Sequence, residues 1–167
     1  MRPPLPRAWL PRLALAATIA ASLATAGGAA GASSPCRLAS AGEVRAAFGG
    51  SVGGGRVDTS IPSVPSCHYA VKGSNLGLSG EAVVFIVPGQ TPATFALARK
   101  EIPGAAAVPG IANGAFYNPH TTAIELVKGR TVASAQGIFL NPGGRPANGA
   151  KVKSDVIALA RSVAKHL

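Results

Sequence analysis

The chain has 167 residues, with 16 lysines and arginines against six aspartates and glutamates, which gives a net charge of +10. This length suits one domain with its own core, and six scattered acids leave little material for a glycosidase site, which needs two paired carboxylates. Two cysteines and three histidines are a poor basis for a structural zinc site with its usual four ligands, so we expect neither a metal nor a cofactor.

The first 32 residues predict a secretory signal peptide. Three arginines precede residues 13–26, which carry neither a charge nor a proline, and small residues follow. We predict cleavage after Ala32, with Ala26 as the alternative, and a protein that works outside the cell or at its surface. A retained anchor is the competing interpretation, but the stretch is mostly alanine and glycine and short for a span of about 20 residues. No stable membrane span is therefore expected.

Residues 33–167 are predicted to form a single disulfide-bonded domain with a net charge of +7. The two cysteines, Cys36 and Cys67, follow the signal sequence, and cysteines of exported chains usually pair. Acylation of Cys36 is disfavoured because Pro35 occupies the position where lipoproteins have a small residue. The bridge would connect the first helix and the poorly packed loop after it to the strand that starts at Cys67.

A capping box predicts the first helix. Ser40 supplies the N-cap hydroxyl and Glu43 the N3 carboxylate, so we expect a helix from Ser40 to Phe48. Two glycines end it. Residues 49–66 are rich in Gly, Ser and Pro and predict a loop with at most a short edge strand.

Strands and a second helix follow. Alternation of apolar and polar residues predicts a strand over residues 67–72. Residues 81–87 have apolar side chains at both odd and even positions, which favours a central strand covered on both faces. Thr91 as N-cap and Pro92 at N1 predict a helix that ends at Pro103.

The second half of the chain predicts a hairpin and a last helix. A tight loop over residues 108–114 leads into a strand, and residues 121–127 and 131–136 form an antiparallel pair. An apolar stripe predicts a helix that begins at about Val152 or Ser154 and runs to His166. This order predicts an α+β domain: an antiparallel sheet of about 4–6 strands with helices packed mainly on one face.

With these elements in place, the chain resembles a group of exported actinobacterial domains of unknown function, many of them lipoproteins. The likeness covers most of residues 36–167. It rests on short motifs at four places: Pro35-Cys36-x-Leu38, Cys67-His68-Tyr69, Val108-Pro109-Gly110-Ile111 and the amphipathic C-terminal helix. The resemblance implies a compact α+β domain of the cell envelope that acts as a binding module, and it transfers no catalytic residues.

Nucleophilic catalysis has few candidates in this sequence. His68 is expected to be a partly exposed strand residue beside the disulfide, and His120 a surface residue in a turn. No Gly-x-Ser-x-Gly elbow or phosphate-binding glycine loop is present. A small extracellular hydrolase using His68 or His120 therefore remains only an alternative, because a triad is recognised by its geometry in space.

Positive charge is the main functional signal. Seven of the basic residues follow residue 127, with a single acid among them, which suggests attraction to an anionic polymer or surface. Solubility is the plainer explanation of the same charge. The candidate binding residues lie in two loops, a hairpin turn and the last helix: Asn113, Phe116, Tyr117, Lys128, Arg130, Arg145, Lys151 and Lys153.

We therefore predict a basic, secreted, non-catalytic module that binds an envelope protein or an anionic surface polymer. Nucleic acid is not an expected partner, because the chain is exported and carries no recognised motif for it. An inhibitor of another secreted enzyme is a further alternative, although fold alone cannot support it.

Overall fold

A computed structural model describes residues 34–87, 89–145, 147 and 149–167. The predicted signal peptide lies outside these residues. The described part of the chain forms three α-helices, a short 3-10 helix and eight strands. The helices are α1 (Ala41–Phe48), α2 (Pro92–Glu101) and α3 (Ala150–His166), preceded by the 3-10 turn Pro35–Arg37. The strands are β1 (Ser51–Val52), β2 (Arg56–Asp58), β3 (Ser66–Lys72), β4 (Gly80–Ile86), β5 (Ala106–Ala107), β6 (Gly114–Asn118), β7 (Ala123–Lys128) and β8 (Thr131–Phe139).

All eight strands belong to one antiparallel sheet. Its order is β1-β3-β4-β8-β7-β6-β5, and β2 pairs with the same side of β3 as β1. The predicted α+β class with an antiparallel sheet is confirmed. The predicted number of strands is too low, because β1, β2 and β5 have only two or three residues each. Hydrophobic periodicity cannot reveal strands that short.

The main core lies between one face of the sheet and the helices α1 and α3; we call this the inner face. Phe48 of α1 and Phe139 of β8 meet there with ring centroids 5.2 Å apart. Gly137 lies beneath them, and a methyl group at this position would come within 3.0 Å of both Phe48 and Val156. The absence of a side chain in β8 thus lets both helices approach the sheet closely.

The disulfide Cys36–Cys67 is present, as predicted. Its Cα atoms are 5.0 Å apart, and Cys67 is fully buried on the inner face. Two residues further along β3, the hydroxyl of Tyr69 donates to the backbone carbonyl of Ala39 at 2.5 Å. A covalent bond and a buried hydrogen bond therefore hold the segment before α1 against β3.

The helix ends follow the chemistry of the sequence. The capping box of Ser40 and Glu43 is formed. Thr91 caps α2 in the same way, and its backbone N–H donates a hydrogen bond to Oγ1 of Thr94. The last helix begins at Ala150, earlier than predicted, with Gly149 as its N-cap. None of the helices in the described ranges is long and apolar enough to cross a membrane.

The opposite face of the sheet, which we call the outer face, carries a smaller core. Phe95 of α2 packs on Phe116, Val127 and Val132, which alternate along their strands with residues of the main core. The Phe95 and Phe116 ring centroids are 5.1 Å apart. The core under α2 draws on β6, β7 and β8, so it leaves the outer surface of β3 exposed or half-buried.

Candidate functional site

The outer face carries a continuous row of paired side chains across six strands. Each residue lies directly opposite the next in the strand register, and polar groups alternate with phenylalanines. The row is Asp58, Ser66, Phe85, Ser134, Glu125 and Phe116. Because neighbouring strands are about 4.8 Å apart, the Ser66 and Ser134 positions are separated by about 10 Å. Phe85 thus divides two polar groups on one surface.

The first group, which we call the His68 cluster, comprises Arg56, Asp58, Ser66, His68 and Glu81. His68 uses both ring nitrogens: Nε2 lies 2.9 Å from Oγ of Ser66, and Nδ1 lies 3.0 Å from Oε2 of Glu81. The side chain of His68 is 23% exposed. It therefore lies partly exposed on the outer face, as the sequence suggested, with Cys67 on the inner face.

A second carboxylate approaches the same imidazole. Oδ2 of Asp58 lies 3.8 Å from Nε2 of His68. The pKa of Asp58 is lowered, first by the hydrogen bond that the backbone N–H of Ser60 donates to it. Asp58, His68 and Glu81 line an open cleft of about 410 Å³ together with Arg56 and Val57. Carboxylates, an imidazole and a cation thus line one accessible recess, and the Ser66 hydroxyl is hydrogen-bonded to that imidazole.

The second group centres on Glu125 of β7. A glutamate on a strand usually points to solvent, but this carboxyl group is largely buried. Burial raises the pKa of Glu125 to about 7, although a hydrogen bond from Ser134 Oγ at 3.1 Å opposes the rise. The carboxyl group lies in a pocket of about 180 Å³ beside α2, with Phe85, Ile102 and Phe116 among its walls. The physical reason is that α2 covers this part of the outer face.

A basic groove lies on another side of α2. It has a volume of about 360 Å³, and Arg99 and Lys100 line it from the helix. Asn113 and Gly129 line it from the sheet, where Oδ1 of Asn113 accepts a hydrogen bond from the backbone N–H of Gly129 at 2.7 Å. No acid occurs among the described residues of its lining. This hydrogen bond fixes the β7–β8 turn as one wall of the groove.

The structure separates the other candidate binding residues. Lys128 turns to the inner face, where its Nζ donates to the backbone carbonyl of Ala164 at 3.0 Å. Arg130, in the hairpin turn next to Gly129, is exposed. Phe116 is 1% exposed and Tyr117 is 8% exposed, so both rings serve mainly the two cores. Of this group, Asn113 lines the basic groove, and Arg130 directly follows Gly129, which also lines it.

The C-terminal basic residues lie elsewhere. Nζ of Lys153 stands 5.0 Å from the ring centroid of Tyr117, beside a recess near Gly149. Lys151 forms an ion pair with Asp155, the residue four positions later in α3. Arg145 is exposed in the loop before the helix. These cations therefore do not converge on the groove of the outer face.

Sequence reasoning missed most residues of these sites, among them Arg99, Lys100, Ser66 and Glu81. The i, i+2 spacing of Ser66 and His68 does place both on one face of a strand, so this pair could have been found. Glu81 joins them only through the register of β3 and β4, in which Ala70 faces Glu81. His120 is exposed in its turn. Among the residues that the structure describes, no three His, Cys, Asp or Glu side chains are arranged to hold a metal ion.

Comparison of the chain with known protein families, with curated proteins and with solved structures found no match.

Proposed function

We propose that the protein is an exported binding module of the cell envelope, and that the basic groove beside α2 takes an anionic surface polymer. One observation carries this proposal: Arg99 and Lys100 face a recess whose described lining holds no acid. Cations that share a concave site raise the local concentration of anionic ligands. The likeness to exported actinobacterial domains agrees with this role and remains a prediction.

Export is the second part of the proposal. The signal sequence and the +7 charge of residues 33–167 support it, and a disulfide persists in oxidising compartments outside the cytoplasm. A basic domain released at a bacterial surface would meet anionic polymers first, because its long-range attraction acts before any specific contact forms.

The groove offers more than charge. Phe95 and Val127 contribute apolar surface to its lining, and Asn113 places an amide at its rim. A polymer with regularly spaced phosphates could pair these with Arg99 and Lys100 while its backbone lies on the apolar floor. Arginine binds phosphate through two parallel hydrogen bonds, whereas lysine acts as a point charge, so Arg99 is expected to contribute more.

The test is binding to immobilised poly(glycerol phosphate), with neutral dextran as the control ligand. The double variant Arg99→Gln/Lys100→Gln should weaken binding about tenfold or more. The slope of log affinity against log salt concentration should also become shallower, by the amount that corresponds to about two fewer released counterions. The matched control, Arg145→Gln/Arg161→Gln, removes two exposed cations from other surfaces. Equal losses in both double variants would mean that net charge, and not the groove, attracts the polymer.

A second candidate function rests on the His68 cluster. Ser66 Oγ, His68 and Glu81 are linked in the order hydroxyl, Nε2, Nδ1, carboxylate, which is the arrangement of a serine hydrolase triad. In this role Ser66 Oγ would bond to an ester carbonyl carbon while its proton passes to Nε2 and then to the departing alkoxide. Water would later release the acyl group. Arg56 in the same cleft supplies a cation for the developing negative charge.

Labelling with a fluorophosphonate, read by intact mass, decides this candidate. The wild type should gain one label and hydrolyse a small aryl ester. Ser66→Ala should do neither, and Ser79→Ala, which changes an exposed loop serine, should behave as the wild type. An unlabelled wild type rules out the hydrolase and leaves the polymer-binding proposal untouched.

A further inference from the structure

The pocket at Glu125 lies on a different side of α2 from the basic groove. Ala98 and Ile102 face the Glu125 pocket, whereas Ala96 and Arg99 face the groove. The pocket therefore has its own chemistry. Its walls are mostly apolar or aromatic, Gln90 also lines it, and its volume is about 180 Å³.

Glu125 is the one titratable group among the described residues of this pocket. Its Oε1 accepts a hydrogen bond from Ser134 Oγ at 3.1 Å, and part of the side chain remains accessible. The carboxyl group thus has further capacity to accept hydrogen bonds from a ligand. Most of the pocket lining around it is hydrocarbon, and an ion pair or charge-assisted hydrogen bond is stronger there than in water.

We infer that this pocket binds a small primary amine with an apolar body about the size of a benzene ring, and that Glu125 receives the ammonium group. A cavity of about 150 Å³ is known to accommodate benzene, so the volume suits such a body. Phe85 and Phe116 offer aromatic walls, which attract both hydrocarbon and cations. Ligand pockets typically combine an apolar lining with one or two polar groups in this way.

The protonation behaviour of Glu125 agrees with this geometry. Burial holds the pKa of Glu125 at about 7, so the carboxyl group is half protonated at neutral pH. An ammonium ion beside it would favour the carboxylate and lower this pKa. Amine binding should therefore be coupled to proton release near neutral pH, a signature that an apolar ligand would lack.

The experiment is a titration of the full protein with benzylamine, followed by NMR and calorimetry, with benzyl alcohol as a neutral ligand of the same shape. Benzylamine should bind about tenfold more weakly at pH 6 than at pH 8, because the carboxylate fraction falls by that factor around a pKa of about 7. Glu125→Gln should weaken binding at pH 8 by about tenfold to a hundredfold. Glu101→Gln, an exposed acid at the end of α2, is the matched control and should bind as the wild type.

A second variant makes the test independent of the folding of Glu125→Gln. Ala98→Leu adds hydrocarbon to the pocket wall and keeps Glu125, so it should abolish benzylamine binding while leaving poly(glycerol phosphate) binding intact. The inference is overturned if wild type fails to bind benzylamine at pH 8, if benzyl alcohol binds equally well, or if both Glu125→Gln and Ala98→Leu retain full affinity. None of these outcomes alters the prediction for the basic groove.

Discussion

Oε1 of Glu43 lies 2.8 Å from Nε2 of His166, so the first and last helices are joined by side chains 123 residues apart in sequence. Glu43 has two roles, since its Oε2 also accepts a hydrogen bond from the backbone N–H of Ser40 at 2.8 Å. Burial acts to raise the pKa of Glu43, but the hydrogen bonds from His166 and Ser40 outweigh it, and the pKa is lowered.

Glu43→Gln should therefore cost stability in a pH-dependent way. A lowered pKa in the folded state means that the contribution is present above the unfolded value of 4.5 and is lost as the pH falls through the folded value. We expect a loss below about 1 kcal/mol at about pH 6, since the pair is partly exposed. The loss should vanish near pH 3, as measured by urea unfolding. A constant difference at all pH values would show that only the cap is affected.

Glu125→Gln should have the opposite pH dependence. The folded pKa of about 7 exceeds the ordinary value of 4.5, so the folded protein binds its proton more tightly. The free energy of unfolding should therefore fall as the pH rises from 4.5 to 7. The glutamine variant lacks this decline and should be more stable than wild type at about pH 8, by at most about 3 kcal/mol. Parallel pH profiles for the two proteins would contradict the burial of this carboxyl group.

Gly80→Ala should destabilise the β4–β8 pairing. A methyl group at Gly80 would lie 2.3 Å from the backbone oxygen of Ile138, a contact that only a backbone shift can relieve. We expect a loss of about 1–3 kcal/mol, seen as a lower denaturation midpoint. Gly54→Ala is the control, because a methyl group there meets no atom within 4 Å. Similar losses in both variants would trace the effect to glycine replacement in general.

Removing the disulfide should lower the melting temperature markedly. The bridge spans a sequence separation of 31 residues, and closure of such a loop stabilises by about 3.7 kcal/mol in the chain-entropy model. The double variant Cys36→Ser/Cys67→Ser should melt roughly 10 °C or more below the oxidised wild type. Wild type under reducing conditions should match the variant. A variant that melts with the oxidised protein would refute a stabilising role.

Local chemistry made the helices and the longer strands predictable. Ser40 with Glu43, and Thr91 with Pro92, specify helix starts through atoms only a few residues apart. β3 was predictable because apolar and polar side chains alternate along it. β4 was predictable because apolar side chains occupy both its odd and its even positions. Residues close together in the sequence are therefore enough to predict these helices and strands.

The sites depended on contacts that local patterns do not encode. Glu125 alternates as a strand residue should, yet its pKa depends on α2 lying above it. Glu81 reaches His68 only because β3 and β4 pair in one register. The sequence made Phe116 a candidate binding residue. In the structure Phe95, 21 residues earlier in the chain, packs on Phe116 and covers it. In each case a tertiary neighbour determines whether a polar or aromatic group is accessible.

The edge of β3 that faces away from β4 is covered by two short strands, and this affects how molecules of this protein interact with one another. β1 pairs with one end of β3 and β2 with the other, and at the far side of the sheet β5 has only two residues. A second molecule that approached either side would find two or three residues to pair with, too few to start a shared sheet. Together with mutual repulsion between positively charged copies, this should keep the protein dispersed when it accumulates at high concentration.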